Sequence, residues 1–176
     1  MSRSALVLVL SFIAIGPGNM NAAAAVPGQS SQPCSAPQYH QFNFWLGDWD
    51  VFDKDPHTPV ARAKVSSILD GCVLLEEYEQ TDGLKGKSFS IYDASRGVWH
   101  QSWVTNRGQL LWIEGHYANN EMVLIGSEQI RGNVERQVRG TWKQVRDGVR
   151  ETAVTSTDGG KHWDLWFDLM FHRRKQ

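Results

Sequence analysis

Two stretches of the sequence place acidic side chains beside groups that can exchange protons with a bound molecule. Glu76 and Tyr78 share a face of any extended strand, because side chains alternate between the two faces. Glu114 and His116 likewise share a face with Trp112. A carboxyl group held away from water resists ionisation and can act as an acid or a base near neutral pH. If strand curvature brings both stretches into one cavity, they form a candidate site for proton transfer.

The same glutamates also fit a simpler role on the outside of a sheet. Glu76 and Glu114 would then face solvent or pair with Arg136 and Arg139. Exposed ion pairs of this kind contribute little stability.

Tryptophan is frequent, with eight residues in a chain of 176. Trp99 and Trp103 alternate with Gln101, and Trp112 alternates with Glu114. A face that interleaves aromatic and hydrogen-bonding groups is typical of a small-molecule pocket, although buried indoles also fill cores. The candidate ligand-binding residues are Glu76, Tyr78, Trp99, Gln101, Trp103, Trp112, Glu114, His116 and Trp142.

The residue spacing gives less support for metal binding, haem binding, nucleophilic catalysis or phosphate binding. The six histidines form no compact motif with cysteines or carboxylates, so no metal site is predicted. A haem needs only one axial histidine in an apolar cavity, and His116 or His100 would be its ligand, but no cofactor is predicted. The sequence has no nucleophile elbow and no phosphate-binding loop. Residues Asp158 to Lys161 are predicted to form a hairpin turn.

The elements that must position these residues are short strands. Stretches rich in β-branched and aromatic residues recur at about ten-residue spacing, separated by Gly, Asp and Asn residues typical of tight turns. The predicted strands cover 47–54, 60–69, 73–81, 86–93, 97–105, 109–118, 121–129, 134–145, 149–156 and 161–173. In the last one, a single apolar face is predicted from Trp163, Leu165, Phe167, Leu169 and Phe171.

Successive hairpins predict an antiparallel up-and-down meander. An open sheet of this size would leave two unpaired edges, and closure satisfies their amide groups. We therefore expect an all-β fold, a closed barrel of about 8–10 strands.

Several motifs give the chain a family resemblance. Gly47-Asp48-Trp49 is a G-x-W triplet that follows the aromatic turn Phe42–Leu46, and further marks are Gly71–Glu77, Tyr92-Asp93, Trp99–Val104 and Ser156–Trp163. Residues 39 to 174 resemble the lipocalins and their calycin relatives, and more specifically an exported bacterial family known mainly as a domain of unknown function. The resemblance implies a lipocalin-like barrel and almost no established chemistry. It also implies that Arg173 or Arg174 covers the Trp49 indole and closes one end of the barrel.

The N-terminus has the pattern of a secretory signal peptide over residues 1–25. Arg3 precedes an apolar run from Ala5 to Ile15 that is too short to span a bilayer, and Ala22–Ala25 supply small residues for cleavage. We expect a periplasmic or secreted protein with no stable membrane insertion after the signal is removed.

The rest of the chain is predicted to form one domain behind a linker. Residues 26–38 are poor in apolar side chains and predict a flexible linker, followed by the barrel domain over 39–176. Cys34 and Cys72 are the two cysteines, and in an oxidising compartment they are expected to form a disulfide. With 18 Lys and Arg against 19 Asp and Glu, the chain lacks the basic excess of nucleic-acid-binding proteins, so no such partner is expected.

Three functional hypotheses follow. The leading one is a barrel that binds a small, largely apolar molecule in an aromatic-lined cavity. The second is an isomerase, lyase or hydratase in which Glu76 or Glu114 and His100 or His116 move protons in the same cavity. The third is a structural or assembly module whose exposed aromatic turn, Phe42 to Trp45, contacts a partner or a second copy in a homo-oligomer.

Overall fold

The computed structural model describes residues 32–175, and these form a closed barrel of ten antiparallel strands. The strands are β1 (Gly47–Phe52), β2 (Ala61–Ile68), β3 (Val73–Gln80), β4 (Lys85–Asp93), β5 (Val98–Thr105), β6 (Leu110–Ala118), β7 (Glu121–Ile130), β8 (Val134–Val145), β9 (Gly148–Ser156) and β10 (Asp164–Arg173). Each strand pairs with the next along the chain, and β10 pairs with β1. The all-β up-and-down barrel predicted from the sequence is confirmed, and every predicted strand overlaps an observed one.

The segment before the barrel is attached covalently. Cys34 and Cys72 form the predicted disulfide, which ties this segment to the short 3-10 helix Leu69–Gly71 between β2 and β3. Another 3-10 helix, Pro37–His40, begins within the predicted linker. The signal peptide predicted over 1–25 and the linker residues 26–31 lie outside the described residues. No helix of the described part of the chain is long and apolar enough to cross a membrane.

Aromatic side chains from the segment before β1 close one end of the barrel. Phe42 and Trp45, which we call the aromatic plug, are fully buried. Phe42 stacks on Trp45 with 5.1 Å between ring centroids and meets Trp99 and Trp142 edge-on at 5.7 and 5.4 Å. The prediction that the turn from Phe42 to Trp45 is exposed is therefore wrong, because the barrel end needs these rings to exclude water. This removes the surface on which the assembly hypothesis rested.

Trp49 and Arg173 lie beside the plug. They are direct partners across β1 and β10, and the Arg173 guanidinium lies 4.6 Å from the centroid of the Trp49 ring. Arg173 also donates from Nη2 to the Leu46 carbonyl oxygen at 3.0 Å, and Trp49 Nε1 donates to the Trp45 carbonyl oxygen at 2.9 Å. The cation therefore covers the indole at the closed end, the place that the family resemblance implied for Arg173.

A change of register in β10 alters which of its side chains face inward. The pairing of β10 with β9 shifts between Leu165 and Phe167, as in a β-bulge. Phe171 is buried, whereas Leu165 is 66% exposed and Trp163 precedes the strand. The apolar face predicted from Trp163 to Phe171 is therefore wrong at its first two positions, because an inserted residue reverses the alternation.

Candidate ligand-binding cavity

The barrel interior contains a cavity of about 370 Å³ between the plugged end and the opposite rim, and this cavity is partly open to solvent. Its apolar wall includes Trp103, Leu111, Ile113, Val138, Trp142 and Leu169. This volume lies within the range typical of small-molecule sites, near its lower end. Trp142 contacts both the aromatic plug and the cavity, and so forms part of the cavity floor.

Glycines on neighbouring strands make room for the two large indoles of the wall. A Cβ atom at Gly86 would lie 2.1 Å from the Trp103 ring, and one at Gly140 would lie 2.8 Å from the Trp142 ring. Both distances are shorter than any stable contact between carbon atoms. A side chain at position 86 or 140 would therefore collide with the indole rings.

Five of the residues predicted to bind a ligand line this cavity, namely Glu76, Tyr78, Gln101, Trp103 and Trp142. Trp99 does not. It is buried in the cluster around the aromatic plug, and its Nε1 donates to the Gln41 side-chain oxygen at 3.1 Å. Its prediction as a cavity residue is wrong, because the tapered end of the barrel at Trp99 is filled by Phe42.

Trp112, Glu114 and His116 point out of the barrel, so their prediction as cavity residues is also wrong. Trp112 is 49% exposed. The reason is the register between β5 and β6, in which Trp103 pairs with Leu111 and Trp99 pairs with Gly115. Directly paired residues share a face of the sheet, so the odd-numbered residues of β6 face inward and the even-numbered ones outward.

Glu114 instead belongs to an ion-pair network on the outer surface. It accepts hydrogen bonds from Arg96 Nη2 at 2.7 Å and Nη1 at 3.0 Å, and its Oε1 lies 2.9 Å from His100 Nδ1. These contacts, the Arg96 bonds first and the His100 bond second, lower the pKa of Glu114 to about 2. Neither His100 nor His116 lines the cavity, so the proposed Glu and His pair is not assembled there, and neither histidine is placed to bind a haem.

The arginines considered as partners for the two glutamates have other contacts. Arg136 donates from Nε to Glu128 at 2.9 Å, and its guanidinium lies 4.4 Å from the centroid of the Trp166 ring. Arg139 lies over the Trp163 ring at 4.7 Å. The alternative pairing of Glu76 and Glu114 with Arg136 and Arg139 is therefore wrong.

Glu76 is the most enclosed acidic side chain of the cavity wall, with 6% of its surface exposed. Ser88 Oγ donates to its Oε2 at 2.9 Å, and no described residue donates to its Oε1. Loss of contact with water raises the pKa of Glu76 to about 7, because the hydrogen bond from Ser88 offsets only part of the desolvation. Glu76 therefore exchanges its proton within the physiological pH range.

Glu151 is a second carboxyl group in the same cavity, and it was not predicted from the sequence. It is half-buried in the cavity wall. Burial raises its pKa well above the usual range, and the negative charge of Glu76 raises it further. The indole N–H of Trp142, its partner across β8 and β9, makes no hydrogen bond that meets normal geometry but lowers the pKa slightly.

The remaining polar groups of the wall are mostly acceptors. Gln101 Nε2 donates to Ser90 Oγ at 3.0 Å, and no described residue donates to its side-chain oxygen. Tyr78 donates weakly to Gln80 Oε1 at 3.4 Å. Burial first, and then the nearby Glu151 and Glu76 charges, raise the pKa of Tyr78, so its hydroxyl stays protonated. Among the described residues, the cavity wall thus presents unpaired acceptor atoms of Glu76 and Gln101 and the unpaired indole N–H of Trp142.

Residues 32–175 hold no group of three or more His, Cys, Asp or Glu side chains that could bind a metal ion. Neither a comparison with models of known protein families nor a comparison with curated proteins found a match to the chain. The function therefore has to be inferred from the cavity itself.

Proposed function

We propose that this protein is an exported, lipocalin-like barrel that binds a small, largely apolar molecule in the cavity between Trp103 and Trp142. Gln101, Glu76 and Tyr78 orient the molecule through its polar end. The observation that carries the proposal is a barrel cavity of about 370 Å³ with an aromatic and aliphatic wall and a few inward-facing polar groups.

Two features support binding over catalysis as the function. The histidines needed for the predicted acid and base pair lie on the outer surface, away from the cavity. The interior is also not filled by its own side chains, although Trp103 and Trp142 are large, because Gly86 and Gly140 recess them into the wall. A space kept open at the expense of core packing is expected where a ligand completes the core.

Export is part of the proposal and rests on two observations. The disulfide between Cys34 and Cys72 is of a kind that persists in oxidising compartments. The apolar N-terminal run with its small-residue stretch has the composition of a signal peptide. Membership of the exported bacterial family of unknown function, inferred from the motifs around Trp49 and Trp163, is proposed on the same footing.

A fluorescent probe tests the binding function directly. The uncharged dye N-phenyl-1-naphthylamine should bind with increased emission and quench the fluorescence of the cavity tryptophans. Ala153, buried in the cavity wall, offers a blocking position, and Ala153→Phe should weaken dye binding about tenfold or more. Ile125→Phe on the outer surface is the matched control and should leave binding unchanged.

Leu169→Trp provides a second way to fill the cavity if Ala153→Phe fails to fold. Cooperative thermal unfolding of each variant would show that the barrel is intact. Equal dye binding by the wild type and by both folded blocking variants would overturn the proposal, because the dye would then be bound elsewhere.

A further inference from the structure

The charges of the cavity wall are all of one sign. Glu76, Glu151 and Asp53 line the cavity, and no Lys, Arg or His of the described residues does so. Arg136, which lies over the ring of the wall residue Trp166, is paired with Glu128. A neutral or anionic ligand would leave this imbalance in place, whereas a cation would remove it.

The hydrogen-bonding groups of the wall point to the same kind of ligand. Glu76 Oε1 and the Gln101 side-chain oxygen accept no hydrogen bond from the described residues, and the Glu151 carboxyl group lies beside the indole N–H of Trp142. These acceptors line the cavity, so a bound molecule that brings several N–H donors can form hydrogen bonds to them. The aromatic walls add a further attraction for positive charge, since Trp103 and Tyr78 lie edge to face at 5.8 Å and both line the cavity.

We propose that the molecule bound in this cavity is a protonated amine with an apolar body, whose ammonium group lies between the Glu76 and Glu151 carboxyl groups. This inference rests on the proposed binding function and names its ligand class. The apolar body contacts Trp103, Leu111 and Leu169, while the ammonium group donates to the carboxylates and to the Gln101 oxygen.

Amine binding also releases a proton. Before binding, Glu76 and Glu151 retain a proton near neutral pH, because desolvation raises the pKa of both carboxyl groups and the charge of Glu76 raises the pKa of Glu151 further. The ammonium charge stabilises both carboxylates in ionised form, so the shared proton leaves as the ligand enters. Asp53 at the rim, the protonated Tyr78 on β3 and the Glu128–Arg136 pair are the other charged or titratable groups near this site. Binding should therefore tighten between pH 5.5 and 7.5.

The test uses a matched pair of ligands, 2-phenylethylamine and 2-phenylethanol, measured by calorimetry and by displacement of the dye. The amine should bind about tenfold or more tightly than the alcohol at pH 7.5. Its binding heat should differ between phosphate and Tris buffers, which differ in ionisation enthalpy, in the sense of proton release. The alcohol should show no such difference.

Glutamine variants test which carboxyl groups bind the ammonium charge. Glu76→Gln should weaken amine binding about tenfold or more and leave alcohol binding within about twofold, because the isosteric amide keeps the shape of the wall but not its charge. Glu151→Gln should act in the same direction. Glu114→Gln, an identical substitution on the outer surface, should change neither affinity.

The outcomes separate the two proposals. If the amine and the alcohol bind equally well, or if the amine preference survives in the Glu76→Gln, Glu151→Gln double variant, the amine inference is overturned while binding in the cavity stands. If the dye binds but neither ligand does, the amine inference is also overturned. If neither ligand nor the dye binds in the cavity, the proposed function itself fails.

Discussion

The barrel places carboxyl groups of the same chemical type in two opposite environments. Glu76 faces the cavity, where burial raises its pKa to about 7. Glu114 faces outward, where the Arg96 and His100 contacts lower its pKa to about 2. Both lie on strands with similar alternation, so the difference comes from the face of the sheet and from the partners that the neighbouring strands supply. A carboxylate with an arginine is a structural ion pair, whereas a buried carboxyl group without a cation is a candidate for a functional site.

Replacing both Glu76 and Glu151 by glutamine should change the free energy of unfolding more than either of the single substitutions Ser88→Ala and Glu114→Gln. A carboxyl group with a raised pKa stabilises the fold below pH 4.5, and that stability is lost as pH rises to about 7, because the folded state binds the extra proton. The Glu76→Gln, Glu151→Gln variant should therefore exceed the wild type by about 3 kcal/mol in unfolding free energy at pH 8. Near pH 4.5 the two should match.

Urea titrations at the two pH values measure this difference. Equal unfolding free energies of wild type and double variant at pH 8 would show that the interior carboxyl groups are not desolvated. Glu114→Gln serves as the comparison protein, because it should not gain stability at pH 8.

Ser88→Ala should have an intermediate effect. Ser88 Oγ makes the one hydrogen bond that favours the ionised form of Glu76. Its removal should raise the pKa of Glu76 further and destabilise the protein by about 1 to 2 kcal/mol at pH 8, with a smaller loss at pH 5. NMR titration of the Glu76 side-chain carboxyl carbon would follow the pKa directly. The outward-facing Ser102→Ala is the control, and an unchanged Glu76 titration in Ser88→Ala would contradict the expectation.

Glu114→Gln should have the smallest effect. Its carboxylate is partly exposed, with 26% of the side-chain surface accessible, so its loss should cost less than about 1 kcal/mol at pH 7. A lowered pKa contributes stability above pH 4.5 that is lost as pH falls toward 2. The variant should therefore lose less stability than the wild type between these values. A stability loss at pH 7 well beyond that of an ordinary surface pair would show that the two environments are less distinct than proposed.

The barrel itself was predictable because local signals repeat along the chain. Turns such as Asn119-Asn120, where both residues adopt positive φ angles of 53° and 63°, mark each reversal clearly. The pairing of consecutive hairpins then leaves little freedom in topology. What the hairpin pattern does not determine is which face of a strand points inward, since Leu110 and Trp112 on one face of β6 are as apolar as Leu111 and Ile113 on the other.

The cavity was only partly predictable for this reason. Glu76, Gln101 and Trp103 lie on the inward faces of their strands, as the more polar neighbours on the opposite faces indicate. Glu151 was missed although Val149, Glu151 and Ala153 alternate with Arg150 and Thr152, a pattern that places it on the buried face. A single acidic residue between two apolar ones was a usable signal. The bulge near Leu165 and the burial of Phe42 depend on contacts between distant parts of the chain.

Gly86 restricts which amino-acid substitutions the cavity wall can accept during evolution. Since the Trp103 ring occupies the place of a side chain at position 86, the two residues cannot vary independently. An alanine at 86 would push the indole into the cavity, and a smaller ring at 103 would relieve the clash. The shape of this cavity would therefore change through paired replacements on the adjacent strands β4 and β5, each of which is unfavourable alone.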